Sequence, residues 1–370
     1  MARPERRPPG SALPTFPWDT LTDARARASA HPDGLVDLTV GTPVDPVAPV
    51  IREALAADSA TPGYPATVGT PELRQAAVDA LARRHGAAGV PTDAVLPVIG
   101  TKELIAGLPA QLGLGPGHTV VIPEIAYPTY EVGALLAGTH VVRADSLTQL
   151  GPSSPALLFL NSPSNPTGKV LGVEHLRKVV GWARDRGVIV AADECYLGLV
   201  WEGEAPSILD PRVCGGDHTG LLALHSLSKT SNLASYRAGF VAGDPALVAE
   251  LLEVRRHAGL MVPLPVQSAM TAALIDDAHA TEQRERYRGR RELLLAAVET
   301  AGFRVDHSEA GLYLWATRDE PCRNTVDRLA ERGVLVAPGE FYGHGGSRHV
   351  RIALTATDAT VAEAVRRLRG

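Results

Sequence analysis

The chain has 370 residues, 45% of them apolar, and a formal net charge of −5 with acids and bases interspersed. That length and apolar content exclude a disordered chain and predict one large and one small domain. The charge pattern excludes a nucleic-acid-binding surface: the densest basic run, Arg255-Arg256-His257, reads as a solvated helix face. Cys195, Cys214 and Cys322 are widely spaced, with neither zinc-ligand spacing nor a disulfide framework, and so fit a reducing compartment. Met1 to Trp18 is rich in Pro and Arg and lacks the apolar stretch of a signal peptide, and no apolar run is long enough to span a bilayer. A cytoplasmic protein that binds no metal, nucleic acid or membrane is the expectation.

In chain order, residues 1–19 read as an extended, proline-rich arm. A helix over Thr20 to His31 and a short strand over Leu35 to Gly41 follow. Residues 20–45 are assigned to the small domain and 46–262 to the large one. Helices are predicted over Val50 to Ala57 and Pro71 to His85, the second with Thr70 as its cap and Pro71 at its first position. Strand and helix patterns then alternate: Val95 to Ile99, Glu103 to Leu112, Thr119 to Ile122, Tyr130 to Ala137. Three runs, 156–160, 188–192 and 221–224, are apolar throughout and separated by helical stretches such as Glu174 to Arg186. Such runs define a parallel sheet covered on both faces, an α/β fold. From 263 to 370 the pattern changes to long helices and short strands, Gly311 to Ala316 and His349 to Ala353, as in a smaller α+β domain.

Each buried run ends in polar residues: Asn161 to Gly168, Asp193-Glu194-Cys195-Tyr196, and His225-Ser226-Leu227-Ser228-Lys229. In a parallel sheet these ends share one edge, where ligands bind. Topology therefore gathers an Asn, an Asp, a Tyr, a Ser and a Lys into one candidate site.

Over nearly its full length the chain resembles the class I/II aminotransferases, the fold-type-I pyridoxal-5′-phosphate (PLP) enzymes. The matching residues are Gly63-Tyr64-Pro65, Gly69 to Arg74, Gly100-Thr101-Lys102-Glu103, Tyr127-Pro128-Thr129-Tyr130, Asn165-Pro166-Thr167-Gly168, Asp193 to Tyr196, Ser226 to Lys229 with Arg237 eight residues on, and Arg351. The resemblance implies a large domain around a mostly parallel seven-stranded sheet. It makes Lys229 the residue that carries the cofactor as a Schiff base. Asp193 would face the pyridine nitrogen, keeping the ring protonated as an electron sink. Tyr196 and Asn165 would reach the ring oxygen, and Tyr127 would stack on the ring. Thr101, Lys102, Ser226 and Arg237 would hold the phosphate, with Tyr64 reaching the phosphate of a neighbouring subunit in a homodimer. Arg351, with Gly41 and Asn165, would hold the substrate α-carboxylate. The loop departs from the family pattern at Ser231 and Ser235, where an aromatic and a glycine are usual.

Phe16 to Asp19, Val40 to Pro46, Asn161 to Asn165, His225 to Lys229 and Val350 to Thr355 further resemble actinobacterial N-succinyldiaminopimelate aminotransferases. That resemblance implies exchange of an amino group between N-succinyl-LL-2,6-diaminopimelate and 2-oxoglutarate/glutamate in lysine biosynthesis. Arg255, Arg256 and Lys102 are candidates for a distal carboxylate. Aspartate or another amino acid as donor is the alternative within the class, and a PLP-dependent C–S/C–C lyase the alternative outside it.

Overall fold

The computed structural model describes residues 8–369; the first seven residues of the proline-rich arm lie outside them. Seven strands form the main sheet, in the spatial order Val95–Val98, Gly239–Gly243, Leu221–Ser226, Ile189–Asp193, Leu157–Asn161, Thr119–Ile122 and His140–Arg143. All neighbours run parallel except Gly239–Gly243, which is antiparallel to both its partners. One face buries Leu158, Val190, Ala192 and Ala223 under helices that include Pro71–His85 and Val173–Arg184. The other buries Phe159, Ala191, Leu222 and Leu224 under the helices at 101–111 and 129–136. Coverage on both faces is what the uninterrupted apolar runs require.

Register decides where the chemistry falls. Asn161 stands opposite Asp193, and Asp193 opposite Leu224, so the strand ends that carry polar residues lie level along one edge.

Pro71–His85 has the caps its sequence calls for. The Thr70 hydroxyl accepts from the Leu73 N–H at 3.1 Å, Pro71 opens the helix, and Gly86 closes it with φ of 66°. The helix expected over Thr20 to His31 is divided, a 3₁₀ turn at Pro17–Leu21 leading into Thr22–Ser29. The strand expected over Leu35 to Gly41 contracts to Val36–Asp37, parallel to Val334–Leu335. The Asp37 carboxylate accepts from the Thr39 N–H at 2.9 Å and the Thr39 hydroxyl at 2.6 Å. This local turn competes with further ladder pairing.

A second sheet runs Ala337–Pro338, His349–Ala353, Tyr313–Thr317, Arg304–Val305, antiparallel throughout. Tyr287, Leu294 and Val298 of the helix Ala278–Thr300 join its core. The helix Leu264–Ile275, placed by sequence in the second domain, packs Met270, Ala273 and Leu274 into the main-sheet core instead. Conversely, Tyr196, Leu199 and Trp201, which follow a main-sheet strand, are buried in the second core. Among the described residues no helix is long and apolar enough to cross a membrane.

Candidate active site

Asp193 ends its strand almost fully buried. Its carboxylate accepts from the Tyr130 hydroxyl at 2.7 Å and from the Cys195 N–H at 3.1 Å. Burial raises its pKa, outweighing the opposite pull of these two donors. Next to it, the Asn161 side chain donates to the Asp193 carbonyl at 3.0 Å and accepts from the Asn165 N–H at 2.7 Å. The Asn161–Gly168 loop is thereby fixed against the neighbouring strand.

Lys229 follows the strand Leu221–Ser226 and points its amine at the Gly41 carbonyl. Burial lowers its pKa; the cations Arg351 and Arg237 act in the same direction, against Tyr313 and Cys195. A lowered pKa enlarges the neutral, nucleophilic fraction of the amine. Where the family pattern has an aromatic, buried Ser231 instead meets His279 Nε2 at 2.9 Å.

Arg351 is the buried cation of the site. Its guanidinium donates to Asn165 Oδ1 at 2.9 Å and to the Thr39 carbonyl at 2.7 Å. It lies 3.9 Å from the centroid of the Tyr313 ring and 4.9 Å from that of Tyr342, so aromatic faces flank the charge. Its Nε, and the Tyr342 hydroxyl, are buried without hydrogen-bond partners. The Tyr313 hydroxyl meets the Tyr196 hydroxyl at 3.2 Å. Gly41 passes so close that a Cβ there would overlap the Tyr313 hydroxyl.

An anion cradle adjoins these groups. Gly100, with φ of 88°, precedes Thr101 at the start of the helix Thr101–Gln111. A Cβ on Gly100 would overlap the Arg237 guanidinium. Arg237 itself has φ of 57° and donates to the Ala234 carbonyl at 2.8 Å. The Thr101 hydroxyl accepts from Cys195 Sγ at 3.3 Å, and Ser226 Oγ accepts from the Ser228 N–H at 3.1 Å. A helix start with backbone N–H groups beside a guanidinium suits a phosphate.

Tyr127 meets Tyr130 edge to face at 5.8 Å, and burial, the largest influence on its phenol, pushes the pKa up to about 12. Lys102 and Tyr64 stand apart: both are exposed, Tyr64 by 97%. Arg255 and Arg256 do not serve as free cations. Arg255 is buried in an ion pair with Glu103 at 2.9 Å, and Arg256 pairs with Glu253 at 3.3 Å.

Sequence reasoning gave no site role to Tyr130, Tyr313, Tyr342 or Thr39. Tyr130 was detectable, since it ends the same Tyr127-Pro128-Thr129-Tyr130 motif, in the first turn of the helix Thr129–Leu136. Tyr313 sits in an apolar strand that reads as core, diagonal to Arg351 across the ladder.

A part-buried lysine, a buried aspartate and a buried arginine gather where the strands of this sheet end. Residues 33–368 match the model of the family "Aminotransferase class I and II", and the chain belongs to that family. It is 70% identical to a probable aminotransferase of Mycobacterium tuberculosis, Rv1178, over 99% of this chain and 88% of the relative. It is 58% identical to the 4-dedimethylamino-4-oxo-anhydrotetracycline transaminase OxyQ of Streptomyces rimosus, over 96% of this chain and 99% of the relative. Among solved structures, substrate-bound BacF of Bacillus subtilis superposes with a TM-score of 0.88 at 26% identity, over 99% of this chain and 98% of that one. The enzyme is thus a PLP-dependent aminotransferase of fold type I, acting on amino- and oxo-acid substrates.

Proposed function

We propose that this aminotransferase moves an amino group between N-succinyl-LL-2,6-diaminopimelate and 2-oxoglutarate. Transamination is supported by the buried Arg351, flanked by two tyrosine rings and bonded to Asn165; the succinylated donor is supported by the family resemblance of the segments Phe16 to Asp19, Val40 to Pro46 and Val350 to Thr355. PLP fits the site: the bare Gly100 cradle suits its phosphate, Asp193 its ring nitrogen and the lowered-pKa Lys229 its aldehyde carbon. Bound there, it supplies an electron sink for the electron pair left on the substrate α-carbon.

The protein residues do the rest. Arg351 fixes the α-carboxylate and so selects which bond at the α-carbon stands perpendicular to the ring. The amine of Lys229 moves the proton at the α-carbon. Thr101, Ser226 and Arg237 anchor the phosphate end, with Lys102 at its margin and Tyr64 reaching across from the other subunit of a homodimer. With Arg255 and Arg256 already paired, neutral donors would meet the distal acid. The Tyr342 hydroxyl, whose ring lies 4.9 Å from the Arg351 guanidinium, and the Trp18 indole N–H are buried and unpartnered.

The OxyQ relative favours a second reading, a bulky cyclic ketone as amino acceptor. The test is kcat/KM for N-succinyl-LL-diaminopimelate, glutamate, aspartate, alanine and phenylalanine as donors, and for a tetracyclic ketone with glutamate as donor. Preference for the succinylated donor and glutamate supports the first reading. Preference for aspartate, phenylalanine or the ketone, with no turnover of the succinylated donor, rejects it.

A further inference from the structure

The Tyr196 and Tyr313 hydroxyls face each other at 3.2 Å between Lys229 and Arg351. Tyr196 comes from the loop after a main-sheet strand, Tyr313 from the second sheet, and their rings meet edge to face at 5.9 Å. Both are buried, at 7% and 4% exposure, so neither hydroxyl is free to pair with bulk water instead. A hydroxyl pair holds two protons. One lies between the oxygens, and the acceptor's own proton must point elsewhere.

The surroundings decide which hydroxyl donates. The titratable groups around Tyr313 are Arg351, Lys229, Tyr196 and Cys195, with Tyr127, Tyr342 and Tyr287 further out. Burial alone would raise the Tyr313 pKa, but Arg351 and Lys229 outweigh it and bring it down. Burial, reinforced by Tyr313, keeps Tyr196 well above the ordinary phenol value. The Arg351 guanidinium, 3.9 Å from the Tyr313 ring centroid, favours donation by Tyr313 within the pair, and the Tyr196 proton is then turned away from it. The missing side chain at Gly41 leaves the space that the Tyr313 hydroxyl occupies.

We infer that Tyr313 is a positioning residue: by donating to Tyr196 it aims the Tyr196 proton at the cofactor's ring oxygen. Chains of hydrogen bonds reinforce each other, so Tyr196 also becomes the stronger donor. Tyr313 touches neither the ring nor the α-carbon in this role; it acts through Tyr196. The inference rests on the Tyr196 assignment and on PLP, not on which amino donor is used, so the donor panel can fail without affecting it.

The readout is the pH at which the Lys229-bound cofactor of the holoenzyme changes colour, followed by absorbance without turnover. A donor to the ring oxygen stabilises its deprotonated form and lowers that midpoint. Tyr196→Phe should raise the midpoint, and Tyr313→Phe should raise it by roughly 0.5–1 pH unit. In the Tyr196→Phe background, Tyr313→Phe should add nothing, because the path is already cut. Gly41→Ala, which pushes the Tyr313 hydroxyl aside, should reproduce the Tyr313→Phe shift and serves if Tyr313→Phe folds poorly. An unmoved midpoint in Tyr313→Phe and Gly41→Ala, or an equal shift with and without Tyr196, overturns the relay. An unmoved midpoint in Tyr196→Phe removes the assignment of Tyr196 and the relay with it.

Discussion

Asp193 illustrates how neighbours set what a single side chain can do. A buried carboxylate tends to take up a proton, and hydrogen bonds from Cys195, through side chain and N–H, and from the Tyr130 hydroxyl oppose that tendency. Asp193→Asn should retain the fold and bind PLP, yet lose on the order of 10²–10³-fold in kcat/KM, as electrostatic partners of reacting groups do. Tyr130→Phe should lose less, because the N–H remains; single-turnover rates on one substrate compare the two. A Tyr130→Phe loss as large as that of Asp193→Asn would contradict this ordering. Asp193, Lys229, Asn165 and Arg351 were legible in the sequence. The first three belong to polar stretches that cut off apolar strands at the ligand-binding edge, and Arg351 interrupts an apolar strand of its own. Tyr313 was not, because an aromatic in a strand is first of all a core residue, and only the approach of Gly41 and Arg351 shows its second use.

At the scale of the element, the central parallel strands were legible, while the edge strand His140–Arg143 and the antiparallel Gly239–Gly243 were not. The latter has glycine at both ends, and glycine is depleted in strands. The packing accounts for the choice: a Cβ on Gly239 would press on the His225 carbonyl and the Thr101 methyl. The helix Pro71–His85 ends on a histidine that stacks on His225 at 5.7 Å. Burial, then His225 and Arg84, lower the His85 pKa from 6.5 to about 3. Between those values the unfolded chain binds a proton that the folded one refuses. This contribution is complete above pH 6.5 and is lost as pH falls toward 3. Midway between those values the slope should approach the one-proton limit of about 1.4 kcal/mol per pH unit, and solvent reaching the half-buried ring narrows the window rather than the slope. Urea unfolding of His85→Gln should show a flatter acid limb than the parent; parallel curves would refute the assignment.

The whole molecule is expected to work in pairs. Tyr64 is 97% exposed, an unusual position for a large ring unless another subunit covers it. Mixing Lys229→Ala with an impaired Tyr64→Phe protein should restore activity, because one hybrid site then carries neither defect. No recovery after demonstrated subunit exchange would make each subunit self-sufficient. The two sheets of one chain are joined in another way. Tyr196, Leu199 and Trp201 leave the main sheet to fill the second core, and Leu264–Ile275 stays with the first core two residues before Ala278–Thr300 begins in the second. Neither core can lose its packing without uncovering apolar surface that belongs to the other's chain segments. Heat should therefore melt both together: calorimetry of the apoenzyme should give one peak whose van't Hoff and calorimetric enthalpies, taken per cooperative unit, agree. Trp201→Ala, by loosening that shared loop, should broaden the peak or split it in two.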